Sequence, residues 1–209
     1  MADGSDHELI SLIGGRLALD FANAGSPKRS LSWEELISFL EATHVISATR
    51  TASLLELPES DPQAALGLLQ HSSHFRDTLR QTFRGMLRKE IATAETVEAI
   101  NALLRVTEGH DELRFDAGRW KIEFVARESG LEWLLAAIAR SAAEIVAEGE
   151  NARVRVCANP DCGLFFYDAS RTKRRRWCAM AVCGNRHKAA SFAKKHAAKA
   201  AGSKSGDLG

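Results

Sequence analysis

The stretch Arg155–Lys195, RVCANPDCGLFFYDASRTKRRRWCAMAVCGNRHKAASFAKK, holds all four cysteines of a 209-residue chain. They form two pairs, Cys157-x4-Cys162 and Cys178-x4-Cys183, with 15 residues between them. In a chain read as intracellular, this spacing points to a metal in place of disulfides. Zinc takes four thiolates tetrahedrally at about 2.3 Å, and two short-range pairs brought together across a hairpin supply that geometry at little loop entropy. Four cysteine ligands leave no coordination position for water, so the expectation is one structural zinc and no catalytic one. Asn159-Pro160-Asp161-Cys162-Gly163 is a turn in which Gly163 can take positive φ, and Cys183-Gly184 is expected to repeat the device. Leu164, Phe165, Phe166 and Tyr167 read as a strand packing on the cysteines. Asn185 is a candidate N-cap for a helix reaching about Lys199, with Phe192 facing the cluster. A knuckle, a short hairpin and a helix carrying the last ligand make a treble-clef or ribbon-like finger. A module below roughly 60 residues has a marginal core, so the metal should be required for it to fold.

Working outward, charge separates this segment from what precedes it. Residues 1–150 carry 15 Lys/Arg against 24 Asp/Glu, whereas residues 151–209 carry 13 against 3. An acidic body with a basic end is hidden inside a net charge of +1. The polar Gly149-Glu150-Asn151 marks the boundary, giving an acidic domain over 1–150, the finger over 151–200 and a disordered tail over 201–209.

The acidic part reads as mainly helical. Leu9–Ala24 is apolar and interrupted by Gly14-Gly15, a turn before a short buried segment. Ser32 and Glu35 form a capping box opening a helix to about Thr49. Asp61 and Pro62 suit the N-cap and first position of the longest helix, which runs to about Ile91. A further helix spans Thr93 to about Val106. Leu113 and Phe115, then Trp120, Ile122 and Phe124, alternate with period two around Asp116-Ala117-Gly118-Arg119, the pattern of a β-hairpin. A second capping box, Ser129-Gly130-Leu131-Glu132, opens a helix that ends near Gly149. Trp33, Trp120 and Trp133 are expected as core anchors. The predicted class is therefore mainly α with a small β-hairpin, a helical domain followed by the finger.

Composition and motifs narrow the function. With 45% hydrophobic and 26% charged residues the chain should fold, and its longest apolar run, Trp133–Ala139, is far short of the roughly 20 residues of a membrane span. The acidic start, MADGSDHE, lacks the character of a secretory signal, so a cytoplasmic location is expected. There is no nucleophile elbow, phosphate-binding glycine loop or metalloprotease pattern, and Gly14-Gly15 lacks the rest of a dinucleotide fingerprint. His71 and His74, three apart on the long helix, read as surface histidines. The protein is not expected to be an enzyme.

Two passages resemble known families. Cys183-Gly184-Asn185-Arg186, preceded by Trp177-Cys178-x-Met180 and the Asn159–Gly163 turn, is similar to the CGNR zinc finger. Gly14–Asn23 (GGRLALDFAN) resembles the opening of the ABATE domain, which usually precedes that finger. Together the two resemblances span nearly the whole chain. They imply Cys157, Cys162, Cys178 and Cys183 as zinc ligands and a role in stress-induced transcription regulation.

The basic residues then acquire a meaning. Arg171, Lys173, Arg174, Arg175 and Arg176 lie between the cysteine pairs, and Arg186, Lys188 and Lys195 lie on the helix beyond. Zinc would draw loop and helix together into a phosphate-binding footprint, and these eight residues are the candidate nucleic-acid contacts, to DNA more than RNA. Phe165, Phe166 and Tyr167 could stack on bases, although core packing is the expected use of at least two. Trp177 should shield the zinc, and Asp168 should cap the loop through Arg171 or Arg174. The acidic domain would then dimerise, sense a ligand or recruit another protein. The alternative is a protein-interaction module whose basic finger binds an acidic partner or its own acidic domain.

Overall fold

The computed structural model describes residues 12–25, 30–106, 109–116, 118–126 and 130–203. Helix α1 (Leu17–Asn23) contributes Ala18, Leu19, Phe21 and Ala22 to the core. Its N-cap, Arg16, offers no side-chain acceptor, and Ser141 Oγ from a distant helix accepts the Ala18 N–H at 3.1 Å. At its other end Gly25 has φ +67°, and Arg76 Nη1 donates to the Ala24 carbonyl at 3.1 Å. Helix α1 is thus held at both ends by other elements, which a helix of seven residues requires.

The capping box at Ser32 is present: its hydroxyl accepts from Glu35 N–H while Glu35 accepts from Ser32 N–H. Helix α2 (Trp33–Ala42) stops well before Thr49, however, and α3 (Ala48–Leu55) begins afresh from the Ser47 cap. The break is a backbone one. His44 lies in the left-handed region at φ 59°, and the Val45 N–H returns to the Leu40 carbonyl, a Schellman closure without glycine. A short α4 (Leu57–Ser60) leads to α5 (Pro62–Leu87), capped by Asp61 as its sequence predicts. Helix α5 ends the same way as α2, with Lys89 at φ 64° and Glu90 N–H bonded to Gly85 O. Helix α6 (Ala94–Arg105) starts at the Thr93 cap and is tied to α5 by Thr82 and Thr96, whose hydroxyls are 2.9 Å apart.

Strands β1 (Gly109–Asp116) and β2 (Arg119–Ala126) form the expected antiparallel hairpin. It stands off the helical body, the two strands packing mainly on each other, and Trp120 is 65% exposed. The expectation of Trp120 as a core anchor is corrected on that ground. Trp33 is buried, its indole N–H bonded to Leu54 O, and Trp133 is half-buried with Arg50 over its ring. Of the second expected capping box, Ser129 lies outside the described residues. The segment opens as a 3-10 turn, Glu132–Leu135, and continues as α7 (Ala136–Ala147).

A second 3-10 turn, Gly149–Asn151, stands at the expected boundary, yet the apolar core runs through it. Strands β3 (Val154–Val156) and β4 (Phe165–Tyr167) pair antiparallel, and Val154, Phe165 and Tyr167 join the core of the helical body. Phe83 of α5 meets Phe165 edge-on, with ring centroids 5.9 Å apart. Asn23 clasps the Phe165 backbone, donating to its carbonyl at 2.7 Å and accepting its N–H at 2.8 Å. Tyr167 N–H donates to Gly14 O, and its hydroxyl meets Glu148. The chain closes with α8 (Asn185–Ser203), which reaches into the segment read as a tail; residues 204–209 lie outside the described residues. Among the described residues no helix is long and apolar enough to cross a membrane.

Candidate metal centre and basic surface

Sheet β3–β4 is a frame on which the cysteines converge. Cys157 follows β3 and Cys162 sits in the turn before β4, where Gly163 takes φ +67° as its sequence predicts. Cys157, Cys178 and Cys183 are buried and Cys162 half-buried, all four as free thiols. Their sulfurs lie within 4.8 Å of one another. Cys162 and Cys178 sulfurs are 3.6 Å apart, and those of Cys178 and Cys183 3.7 Å. Four ligands at about 2.3 Å from one tetrahedral zinc would stand about 3.8 Å apart, so the set fits a single closed ion. These spacings are far too long for the roughly 2.05 Å of a disulfide.

The surroundings suit thiolates. Cys178 N–H points at Cys157 Sγ at 3.5 Å, and Asn159 Nδ2 at Cys183 Sγ at 3.6 Å. Burial tends to raise the Cys157 thiol pKa, but the N–H groups of Cys178 and Asn159 outweigh it and hold the value below normal. Cys178 is pushed up, first by burial and then by the thiols around it. Metal binding there must displace its proton, which couples occupancy to pH.

Cys183 lies in a π turn, Met180–Gly184, that runs directly into α8. Two expectations are corrected here. Gly184 is buried in helical backbone without positive φ, so it does not repeat the Gly163 turn. Asn185 is no N-cap: its side-chain amide donates to Ala181 O from inside the continuing helix. Phe192 is 65% exposed and faces His196, not the cysteines. Trp177 does pack on the cluster, and His187 of α8 stacks on it at 4.8 Å.

The basic loop is organised by Asp168, which is completely buried. Its Oδ1 accepts from Ser170 N and Oγ, and its Oδ2 accepts from Arg175 N and from Arg155 Nε at 2.9 Å. Burial would raise this carboxyl, but the Ser170 and Arg175 hydrogen bonds and the Arg155 charge hold it below the usual carboxylate range. Asp168 therefore caps the loop as expected, through Ser170, Arg175 and Arg155 in place of Arg171 or Arg174. Arg155 also donates to the Lys173 carbonyl, whose residue sits at φ 52°.

The candidate contacts divide accordingly. Arg171, Lys173, Arg174 and Arg176 are exposed on the loop, and Arg186 and Lys188 are exposed on α8. Arg175 is turned inward: Nε donates to Trp177 O, Nη2 meets Cys178 O, and the guanidinium lies over Phe166. It braces the backbone of a cysteine ligand. Lys195 lies on α8, its side chain outside the described residues. Phe165, Phe166 and Tyr167 are all buried, so none is offered for stacking on bases. His71, on α5, is exposed and faces Glu132 at 3.5 Å. What the sequence did not reveal is Arg155, whose isolated position between two valines carries no signal of its role.

Two family models match the chain. The CGNR zinc finger matches residues 153–196, and ABATE, described as a "putative stress-induced transcription regulator", matches residues 15–149. No curated protein matches the chain.

Proposed function

The chain belongs to the ABATE family and carries a CGNR zinc finger behind that domain, and from this premise we propose that it is a regulator whose finger binds duplex DNA. The observation that carries the reading is the outward display of Arg171, Lys173, Arg174 and Arg176 on a loop whose backbone is held from within by Asp168 and Arg155. A loop whose backbone is already in place binds a polyanion without the cost of ordering that backbone at the moment of contact. Helix α8 adds Arg186 and Lys188, and residues 185–190 along it are all exposed, leaving that turn open to a groove. The zinc would be held by Cys157, Cys162, Cys178 and Cys183 and would supply cohesion. With four thiolates around it, the reading assigns the ion no catalysis.

The test is the salt dependence of binding. Phosphate contacts of number Z give a log–log slope near −0.9Z, so replacing Arg171, Lys173 and Arg174 together should weaken binding and flatten the slope by about 2 to 3. Arg175→Ala should act on stability instead. Wild-type protein that binds no duplex at low salt, or a triple variant with unchanged slope, overturns the reading.

A further inference from the structure

Hairpin β1–β2 leaves four large apolar side chains of one face in water. Its register sets Leu113 opposite Ile122 and Phe115 opposite Trp120, and the four are 64%, 74%, 62% and 65% exposed in that order. Phe115 and Trp120 touch edge-to-face at 5.3 Å. The other face sets like charges opposite each other, Glu112 with Glu123 and Arg114 with Lys121. Arg114 reaches both Glu112 at 2.8 Å and Glu123 at 3.7 Å. A two-stranded ribbon is marginal by itself, and an open edge with alternating apolar and charged residues is a template for pairing with a further strand.

The pattern on β2 identifies the occupant. Antiparallel pairing of β2 with another β2 about a two-fold axis at Ile122 sets Ile122 against itself and Trp120 against Phe124. It also sets Lys121 against Glu123 twice, once on each side of the axis. Moving the axis to Glu123 sets Glu123 against itself and Lys121 against Val125, and moving it to Lys121 sets Lys121 against itself at the centre, with Arg119 against Glu123 on either side; each puts a like-charge pair on the axis, which is destabilising. The same operation on β1, centred on Leu113, sets Glu112 against Arg114 but places Asp111 beside Phe115 in the apolar row. The β2 edge with its axis at Ile122 is thus the arrangement in which both rows are complementary and no like charges meet.

We propose that the protein pairs with a second copy of itself through the β2 edge, forming a continuous four-stranded antiparallel sheet with its two-fold axis at Ile122. Symmetric association of this kind uses the same patch on both chains. The dimer would carry two basic fingers, but the inference rests on the hairpin alone and stands apart from nucleic-acid binding.

The experiment is sedimentation equilibrium of the zinc-loaded full chain across micromolar concentrations. Wild-type protein should show twice the chain mass, and Ile122→Lys, which sets two lysines at the axis, should be monomeric. Lys121→Glu should also lose the dimer, and adding Glu123→Lys to it should restore the dimer, because positions 121 and 123 exchange signs across the axis. Circular dichroism and zinc content, expected to be unchanged, separate lost pairing from lost folding. A monomeric wild type, a dimer that survives Ile122→Lys, or a folded double variant that stays monomeric overturns the proposal. A strand from a different protein as occupant would appear as the first of these.

Discussion

The buried carboxylate of Asp168 accepts the backbone N–H of Arg175 at 3.0 Å, closing the six residues between them into a ring that displays Arg171 and Arg174 outward. Deleting the carboxylate sets two effects in opposition. Coulomb's law alone says that removing a negative charge from a basic loop strengthens nucleic-acid binding. The hydrogen bonds say that the loop loses its shape. Asp168→Ala should therefore destabilise the protein by about 2 kcal/mol, the scale of hydrogen bonds to a charged group, and weaken duplex binding. Denaturant titration and DNA titration of the same variant check both, and tighter binding would show that loop order is irrelevant.

Zinc removal should be felt beyond the finger. Phe165 and Tyr167 belong to the core of the helical body, and Asn23 clasps β4. Chelation should therefore lower the melting temperature of the whole chain in one transition, followed by calorimetry and far-ultraviolet circular dichroism. Two transitions, with the helical body unaffected, would mean that the shared packing contributes little.

Helix α5 ends at Lys89 with φ 64°, a conformation that costs an L-residue with a Cβ roughly 1 kcal/mol and glycine almost nothing. Lys89→Gly should raise stability by up to about 1 kcal/mol in denaturant unfolding, less the added entropy of the unfolded glycine.

Two buried carboxyls give opposite pH dependences. Burial raises Asp20 to about 6, against a hydrogen bond from Gly14 N–H that lowers it. A raised pKa means that the contribution of Asp20 is fully present below the ordinary carboxylate range and is lost as pH rises to about 6. Asp168, held low, contributes above that range and loses its contribution as pH falls through its folded value. The stability of wild type relative to Asp20→Asn should thus decline between pH 4 and about 6, whereas relative to Asp168→Asn it should decline on acidification. Urea midpoints across this range test both signs.

Much of this was legible in sequence where a residue acts on its immediate neighbours. The Ser32 and Asp61 caps, the hairpin period and the paired cysteines each depend on spacing along a few residues, and each stands where it was read. Helix ends at His44 and Lys89 were not legible, because the left-handed residue there is not glycine and the closing hydrogen bond is made by backbone. Trp120 was misread because an alternating pattern tells which face is apolar without telling whether anything covers it. Arg175 looks like its neighbours in an arginine run, and only the fold turns it toward Trp177 and Cys178.

The most direct measurement takes zinc content and duplex DNA binding on one purified sample, at two salt concentrations, before and after chelation. The account predicts one zinc per chain and salt-sensitive binding that chelation abolishes and added zinc restores. Stoichiometric zinc with no binding at low salt, or binding that survives complete zinc removal, would contradict it.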